Sequence, residues 1–172
     1  MKRLLGGCLL ACLGASTVFA QGERREIEDL LKMHARSLVA KDYTAIERFY
    51  DQHIARDFVW ARQGRPATGF SDIWEDNRQD MLNKRNSVAD GPLAFNVKIL
   101  NFRKNGSEAI ADVLTTGNGE WHQNGKWTPL TFELRVRQYW RKQSGRWVAV
   151  KFQDLSMKGR VGKPYAQSKF RG

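Results

Sequence analysis

The sequence predicts an α+β fold with helices first and a curved antiparallel sheet after them. Three observations carry this reading. From Glu23 to about Arg85, apolar residues recur at three- and four-residue intervals. From Ala89 onward that period gives way to two-residue alternation. Finally, Thr131–Asp154 reads as one long β-hairpin, with Phe132, Leu134, Val136, Gln138 and Trp140 on one face and Glu133, Arg135, Arg137, Tyr139 and Arg141 on the other.

The first helix spans Glu23–Lys41, where Ile27, Leu30, Leu31, His34 and Leu38 form one apolar stripe with charged residues between them. His34 is the polar member of that stripe. Asp42 is a good N-cap for a second helix that carries Tyr43, Ile46, Phe49 and Tyr50 on one side. Arg56–Arg62 reads as a short strand, ended by the turn residues Gln63-Gly64-Arg65-Pro66. A third helix is expected from its cap Ser71 to about Arg85, with Ile73, Trp74 and Met81 or Leu82 as its apolar positions.

Strands follow. Leu93–Arg103 alternates as Phe95, Val97 and Ile99, then changes parity to Leu100 and Phe102, which predicts a bulge near Ile99. Asn105-Gly106 is a strong hairpin signal with Glu108–Thr116 as the return strand, and Asn124-Gly125 is a second such signal. In the last hairpin, Gln143-Ser144-Gly145 reads as a three-residue loop. That register sets Trp140 opposite Val148, Val136 opposite Phe152, Leu134 opposite Asp154 and Arg137 opposite Lys151. The last is a like-charge pair, which calls for an anion or acidic partner.

Residues 1–20 stand apart. Met1-Lys2-Arg3 is cationic, Leu4–Phe19 is apolar and rich in small residues, and Val18-Phe19-Ala20 before Gln21 fits the cleavage pattern of a secretory signal peptide. The expected organisation is a signal peptide over 1–20, one domain over 21–155 and a basic, flexible tail over 156–172. The expected location is periplasmic or secreted. A lipoprotein reading of Leu9-Leu10-Ala11-Cys12 is disfavoured by Leu10 and by the short segment before it.

Both cysteines, Cys8 and Cys12, fall in that leader, so the mature domain offers no disulfide, thiolate nucleophile or thiolate metal ligand. The formal net charge is +11, and losing Lys2 and Arg3 with the leader leaves +9. Such a balance favours an anionic surface or an acidic partner. Nucleic acid is not expected, because no nucleic-acid-binding motif accompanies the charge.

The order helix, helix, short strand, helix and then antiparallel strands ending in Gly145-Arg146-Trp147 and the run to Ser156 resembles the nuclear transport factor 2-like (NTF2-like) superfamily, in its SnoaL-like and ketosteroid-isomerase-like branch. The resemblance covers about Glu23–Ser156 and rests on Ala40-Lys41-Asp42, on Phe58-Val59-Trp60 with Gly64 and Gly69, and on the terminal hairpin. It implies a cone-shaped sheet around one apolar pocket, with a convex face that commonly forms a homodimer. It also implies where isomerase groups would stand: Ala61 in place of the base, Val136 near the acid and His34 roughly at the tyrosine. Two of the three groups are therefore missing, and ketosteroid isomerase chemistry is not expected.

His34 and Asp154 remain as the candidate catalytic pair, since a carboxylate beside an imidazole would raise its pKa and fix one tautomer. The plainer alternative, a structural histidine and a strand-end carboxylate, weighs more, because polar groups on apolar faces are commonly satisfied structural residues. The expected pocket residues are Trp60, Trp74, Val136, Gln138, Val150 and Phe152. Asp112 and Gln138 could also point inward. On the convex face Arg135, Arg137 and Lys151, with Tyr139 and Trp147 beside them, form an expected surface patch that could be solvated surface, dimer interface or partner site. No metal or cofactor is expected: His34, His53 and His122 sit on three different elements, and no phosphate loop or serine-nucleophile motif is visible. The sequence thus predicts a binding or interaction module for a small apolar molecule. The alternative is a proton-transfer or hydration enzyme on a small hydrophobic substrate, with His34 as base.

Overall fold

The computed structural model describes residues 7–62, 64, 66–72, 91–123 and 126–161, with side chains placed from Gln21 onward except at 91–93, 120–123, 126–128, 130 and 161. The third helix expected to about Arg85 lies, beyond Asp72 and including Trp74, outside the described residues, as do the Asn124-Gly125 turn and the tail from Gly162. The elements in order are α1 (Gly7–Ala40), α2 (Tyr43–His53), β1 (Ile54–Ala61), β2 (Thr68–Gly69), β3 (Gly91–Asn105), β4 (Glu108–Gln123), β5 (Lys126–Gln143) and β6 (Arg146–Val161).

Helix α1 buries Ile27, Leu31 and Ala35 at four-residue intervals, the stripe the sequence predicts. It begins earlier than expected and runs unbroken through the Ala20–Gln21 junction, because a proline-free stretch rich in Ala and Leu contains nothing that stops a helix. Three side chains just past that junction latch α1 to the sheet. Glu23 meets Lys104 at 2.6 Å and Lys142 at 3.5 Å, Arg24 Nη2 donates to the Ile99 carbonyl at 2.9 Å, and Trp147 Nε1 donates to Glu26 at 3.2 Å.

The helix ends in a Schellman turn: Asp42 N–H donates to the Ser37 carbonyl and Lys41 N–H to that of Leu38, with Lys41 in the left-handed region at φ 55°. Asp42 then caps α2, its carboxylate accepting from Ala45 N–H at 3.0 Å. Further on, helical conformation starts at Phe70 rather than after Ser71, and Asp72 Oδ2 accepts from Gly69 N–H at 3.0 Å, which makes Gly69 the capped residue.

The six strands form one sheet in the order β2-β1-β6-β5-β4-β3. It is mixed rather than wholly antiparallel, because β1 runs parallel to β6 while the other neighbours are antiparallel. The parity change predicted near Ile99 is a bulge between Ile99 and Asn101, and Arg24 supplies the donor to the Ile99 carbonyl there. The β3–β4 turn uses Gly106-Ser107, one residue beyond the expected centre, with Gly106 at φ 58°.

The final hairpin differs from the predicted register. Gln143 pairs with Arg146, so the loop is the two residues Ser144 and Gly145, both left-handed at φ 49° and 79°, the signature of a type I′ turn. This one-residue slip turns Trp147 inward, where it is fully buried, instead of placing it on the convex face. A bulge at Val150 then restores the expected parity, and Gln138 pairs with Phe152 and Val136 with Asp154. Arg137 faces Gln153, and Lys151 faces Tyr139, so the predicted like-charge pair does not form.

The concave side has a packed end and an open end. At the packed end Trp140, Trp147, Ala109, Ala111 and Ala149 are buried with Ile27 of α1. The small residues on β4 leave room there for the two indoles. Toward the far ends of β4 and β5 the alternation continues through Val113, Thr115, Val136 and Leu134, and the packing opens.

Candidate binding cavity

A cavity of about 660 Å³ lies on the concave side between the helices and the sheet. Its apolar wall includes Leu31 and Leu38 from α1, Phe49 from α2, Val113 from β4, Val136 from β5 and Phe152 from β6. The two-residue period of the strands and the three-to-four-residue period of the helices bring these side chains together. The polar side chains in the wall include His34, Arg62, Thr115 and Gln138.

Gln138 is buried, and its carbonyl oxygen accepts from Trp140 Nε1 at 3.2 Å. Its amide can therefore still accept one hydrogen bond and donate through its NH₂. His34 stacks flat on Phe49, with ring centroids 4.1 Å apart, and meets Tyr50 edge-on at 5.6 Å. Its Nδ1 is buried without a hydrogen-bond partner. Burial lowers its pKa to about 4, so the imidazole is neutral at neutral pH.

Trp60 Nε1 donates to Asp154 Oδ1 at 2.8 Å, and the Arg62 guanidinium lies over the Trp60 ring, 4.6 Å from its centroid. Phe58, Trp60 and Arg62 alternate on one face of the chain leaving β1. The sequence reading placed Arg62 at the end of its strand but overlooked it as a cavity residue, although a cation continuing an apolar alternation was the available signal.

Of the expected pocket residues, Trp60, Val136, Gln138 and Phe152 line the cavity. Val150 packs against the core instead, because it is the bulged residue of β6. His34 is in the wall, whereas Asp154 is occupied by Trp60, so each of the two groups has separate surroundings. His53 is a buried structural residue: its Nδ1 lies 2.9 Å from the Trp147 carbonyl, which can only accept, so that nitrogen carries the proton. Among the described residues, no group of three or more His, Cys, Asp or Glu side chains comes together to hold a metal.

On the convex face Arg137 donates to Asp112 through Nε at 2.7 Å and Nη2 at 3.1 Å, a two-point grip that holds the Asp112 carboxyl below its usual range. Asp112 therefore faces outward. Arg135 meets Glu133 at 3.4 Å, and Lys151 lies 5.3 Å from the centre of the Tyr139 ring. Each expected patch cation thus has a neighbour within the chain.

No family model matches the sequence, and no curated protein matches it. Solved structures do match. An NTF2-like protein with a cystatin-like fold from Novosphingobium aromaticivorans aligns with TM-score 0.56 and 15% identity over 81% of this chain and 85% of its own. A conserved protein from Planctomyces limnophilus aligns with TM-score 0.62 and 11% identity over 81% of this chain and 99% of its own. A ketosteroid isomerase-like protein from Erwinia carotovora atroseptica aligns with TM-score 0.52 and 19% identity over 78% of this chain and 97% of its own. At these identities the likeness concerns backbone architecture, and with helices ahead of a mixed, bulged sheet around a concave cavity, this chain has the NTF2-like fold.

Proposed function

We propose that this protein binds a small, mostly apolar molecule in its concave cavity, as an exported binding module that lacks the ketosteroid isomerase base and acid. The cavity carries the reading: about 660 Å³, walled mainly by aliphatic and aromatic side chains with a few polar groups among them. Small-molecule sites typically measure roughly 300–1,000 Å³ and have this composition. Ala61 and Val136, at the positions the resemblance gives to the base and the acid, cannot move a proton. Export follows from the leader pattern of residues 1–20. The convex face is the natural surface for a homodimer or an acidic partner.

The test is to extract the purified chain with organic solvent and identify the released molecules by mass spectrometry, then titrate the emptied protein with an apolar fluorescent probe. A co-purifying apolar molecule that displaces the probe is expected, and Val136→Trp, which fills the cavity, is expected to lose both while keeping its unfolding midpoint. An empty protein that binds no apolar probe would sink this reading and leave the interaction module.

A second reading, proton transfer on the bound molecule, draws on the unpartnered Nδ1 of His34 in the cavity wall. Two observations weigh against it: burial makes this imidazole a weak base, and Asp154 is engaged by Trp60. It requires a ligand that His34→Phe still binds but no longer converts.

A further inference from the structure

Arg62 is a cavity cation that no carboxylate pairs among the described residues. Other arginines of the sheet region do have acids: Arg56 meets Asp51 at 3.4 Å, Arg137 meets Asp112 at 2.7 Å and Arg141 meets Asp57 at 3.7 Å. By register the carboxylate near Arg62 is Asp154, because Ala61 pairs with Gln153, yet Asp154 accepts from Trp60 Nε1 and forms no ion pair with Arg62. What holds Arg62 is the Trp60 ring beneath it. Stacking on an indole orients a guanidinium while leaving its in-plane N–H groups free to donate, and arginine's planar fork matches a carboxylate.

The other polar groups of the wall carry no charge that would compete for the anion. Gln138 has one oxygen lone pair taken by Trp140 and keeps both accepting and donating capacity, so it is a neutral neighbour, and among the described residues Arg62 is the one cationic side chain in the wall. By register Arg62 is level with Asp154 and Val136, while Gln138 lies two residues further along β5, about 7 Å at strand rise, opposite Phe152. A single negative charge suits the site better than two, since Asp154 is already nearby and a second charge would go unpaired.

Resting on the binding role proposed above, we infer that the ligand class is a hydrophobic monocarboxylate, its carboxylate held by Arg62 and its apolar body lying among Leu134, Val136 and Phe152. Dodecanoate and 1-dodecanol test this as a matched pair, each displacing the apolar probe from the full folded domain at neutral pH. Wild type is expected to bind the carboxylate about tenfold more tightly than the alcohol, or better, the usual worth of a charge-assisted hydrogen bond. Arg62→Gln is expected to bring the two within about twofold of one another, through loss of carboxylate affinity with alcohol affinity unchanged. Equal affinities in wild type overturn the inference, as does an Arg62→Gln protein that keeps the preference or loses both ligands alike. Failure of both ligands and of the probe instead overturns the apolar-pocket reading, so the two failures are distinct. Should Arg62→Gln not fold, the wild-type ratio alone decides.

Discussion

Trp60 and Asp154 are tied side chain to side chain, the indole N–H donating to the carboxylate at 2.8 Å across the parallel seam between β1 and β6. This seam is the sheet's one parallel pairing and carries an irregular register between Ile54 and Val59. The tie holds the cavity wall where the ladder is least regular, and it fixes the ring on which Arg62 rests.

Trp60→Phe keeps an aromatic ring but removes the donor, leaving a half-buried carboxylate short of a partner. We expect a loss of about 1–2 kcal/mol, read by urea denaturation. Asp154→Asn keeps an acceptor and should lose less. Equal losses in both variants would mean that the hydrogen bond contributes little.

His34 should give the stability curve an acid limb. Its pKa is about 4 in the fold against 6.5 when free. Above pH 6.5 the imidazole is neutral in both states and has no effect. As pH falls from 6.5 toward 4, the unfolded chain takes a proton that the folded chain refuses, so stability falls, by about 3 kcal/mol once pH is below both values. In His34→Phe this limb should flatten across the same window. Parallel curves for the two proteins would show that His34 is not the group responsible.

Lys41 occupies the left-handed position that closes α1. A side chain there costs roughly 1–2 kcal/mol that glycine avoids, partly offset by glycine's freedom in the unfolded chain. Lys41→Gly is therefore expected to raise stability by up to about 1 kcal/mol, measurable as a higher denaturation midpoint.

Gly117 has no room for a Cβ. An atom placed there would stand 2.6 Å from Cζ of Phe132 and 2.8 Å from the Ala94 carbonyl oxygen. The second contact is backbone and cannot rotate away, so Gly117→Ala should destabilise by about 1–3 kcal/mol. An alanine variant as stable as wild type would mean that β3 can shift at little cost.

Arg137→Glu sets a second acid against Asp112. A lower thermal midpoint is expected, with a deficit that shrinks as salt is added. The double exchange Asp112→Arg with Arg137→Glu should recover much of it. No recovery would assign the loss to packing rather than charge.

Much of this architecture was legible in the sequence because periodicity survives folding. The stripe from Ile27, the Asp42 cap, the bulge near Ile99 and the inward face of β5 all follow from spacing, whereas on β4 the apolar Ile110 and Leu114 blurred the alternation with Ala109, Ala111 and Val113. The register of the last hairpin did not, since Ser144 gives no hint that it will adopt a left-handed φ beside Gly145. That single residue decides whether Trp147 points to solvent or to the core, and the Val150 bulge then conceals the slip by returning Phe152 to the expected side. The ion pair between Arg137 and Asp112 was hidden for another reason: it joins β4 to β5, whose relative register the sequence left open. Arg62 was missed because it was read as the last residue of a strand running into a turn, and its place in the alternation Phe58, Trp60, Arg62 was not drawn out.

The β3 strand forms one margin of the sheet, fifteen residues long, with no further strand paired to its outer side among the described residues. A margin of that length invites another chain to add itself as a further strand. Here Lys98 and Arg103 stud it with positive charge, and the bulge at Leu100 breaks its line where Arg24 claims the Ile99 carbonyl. Two copies meeting edge to edge along β3 would repel and fall out of step, which opposes lateral growth into fibres.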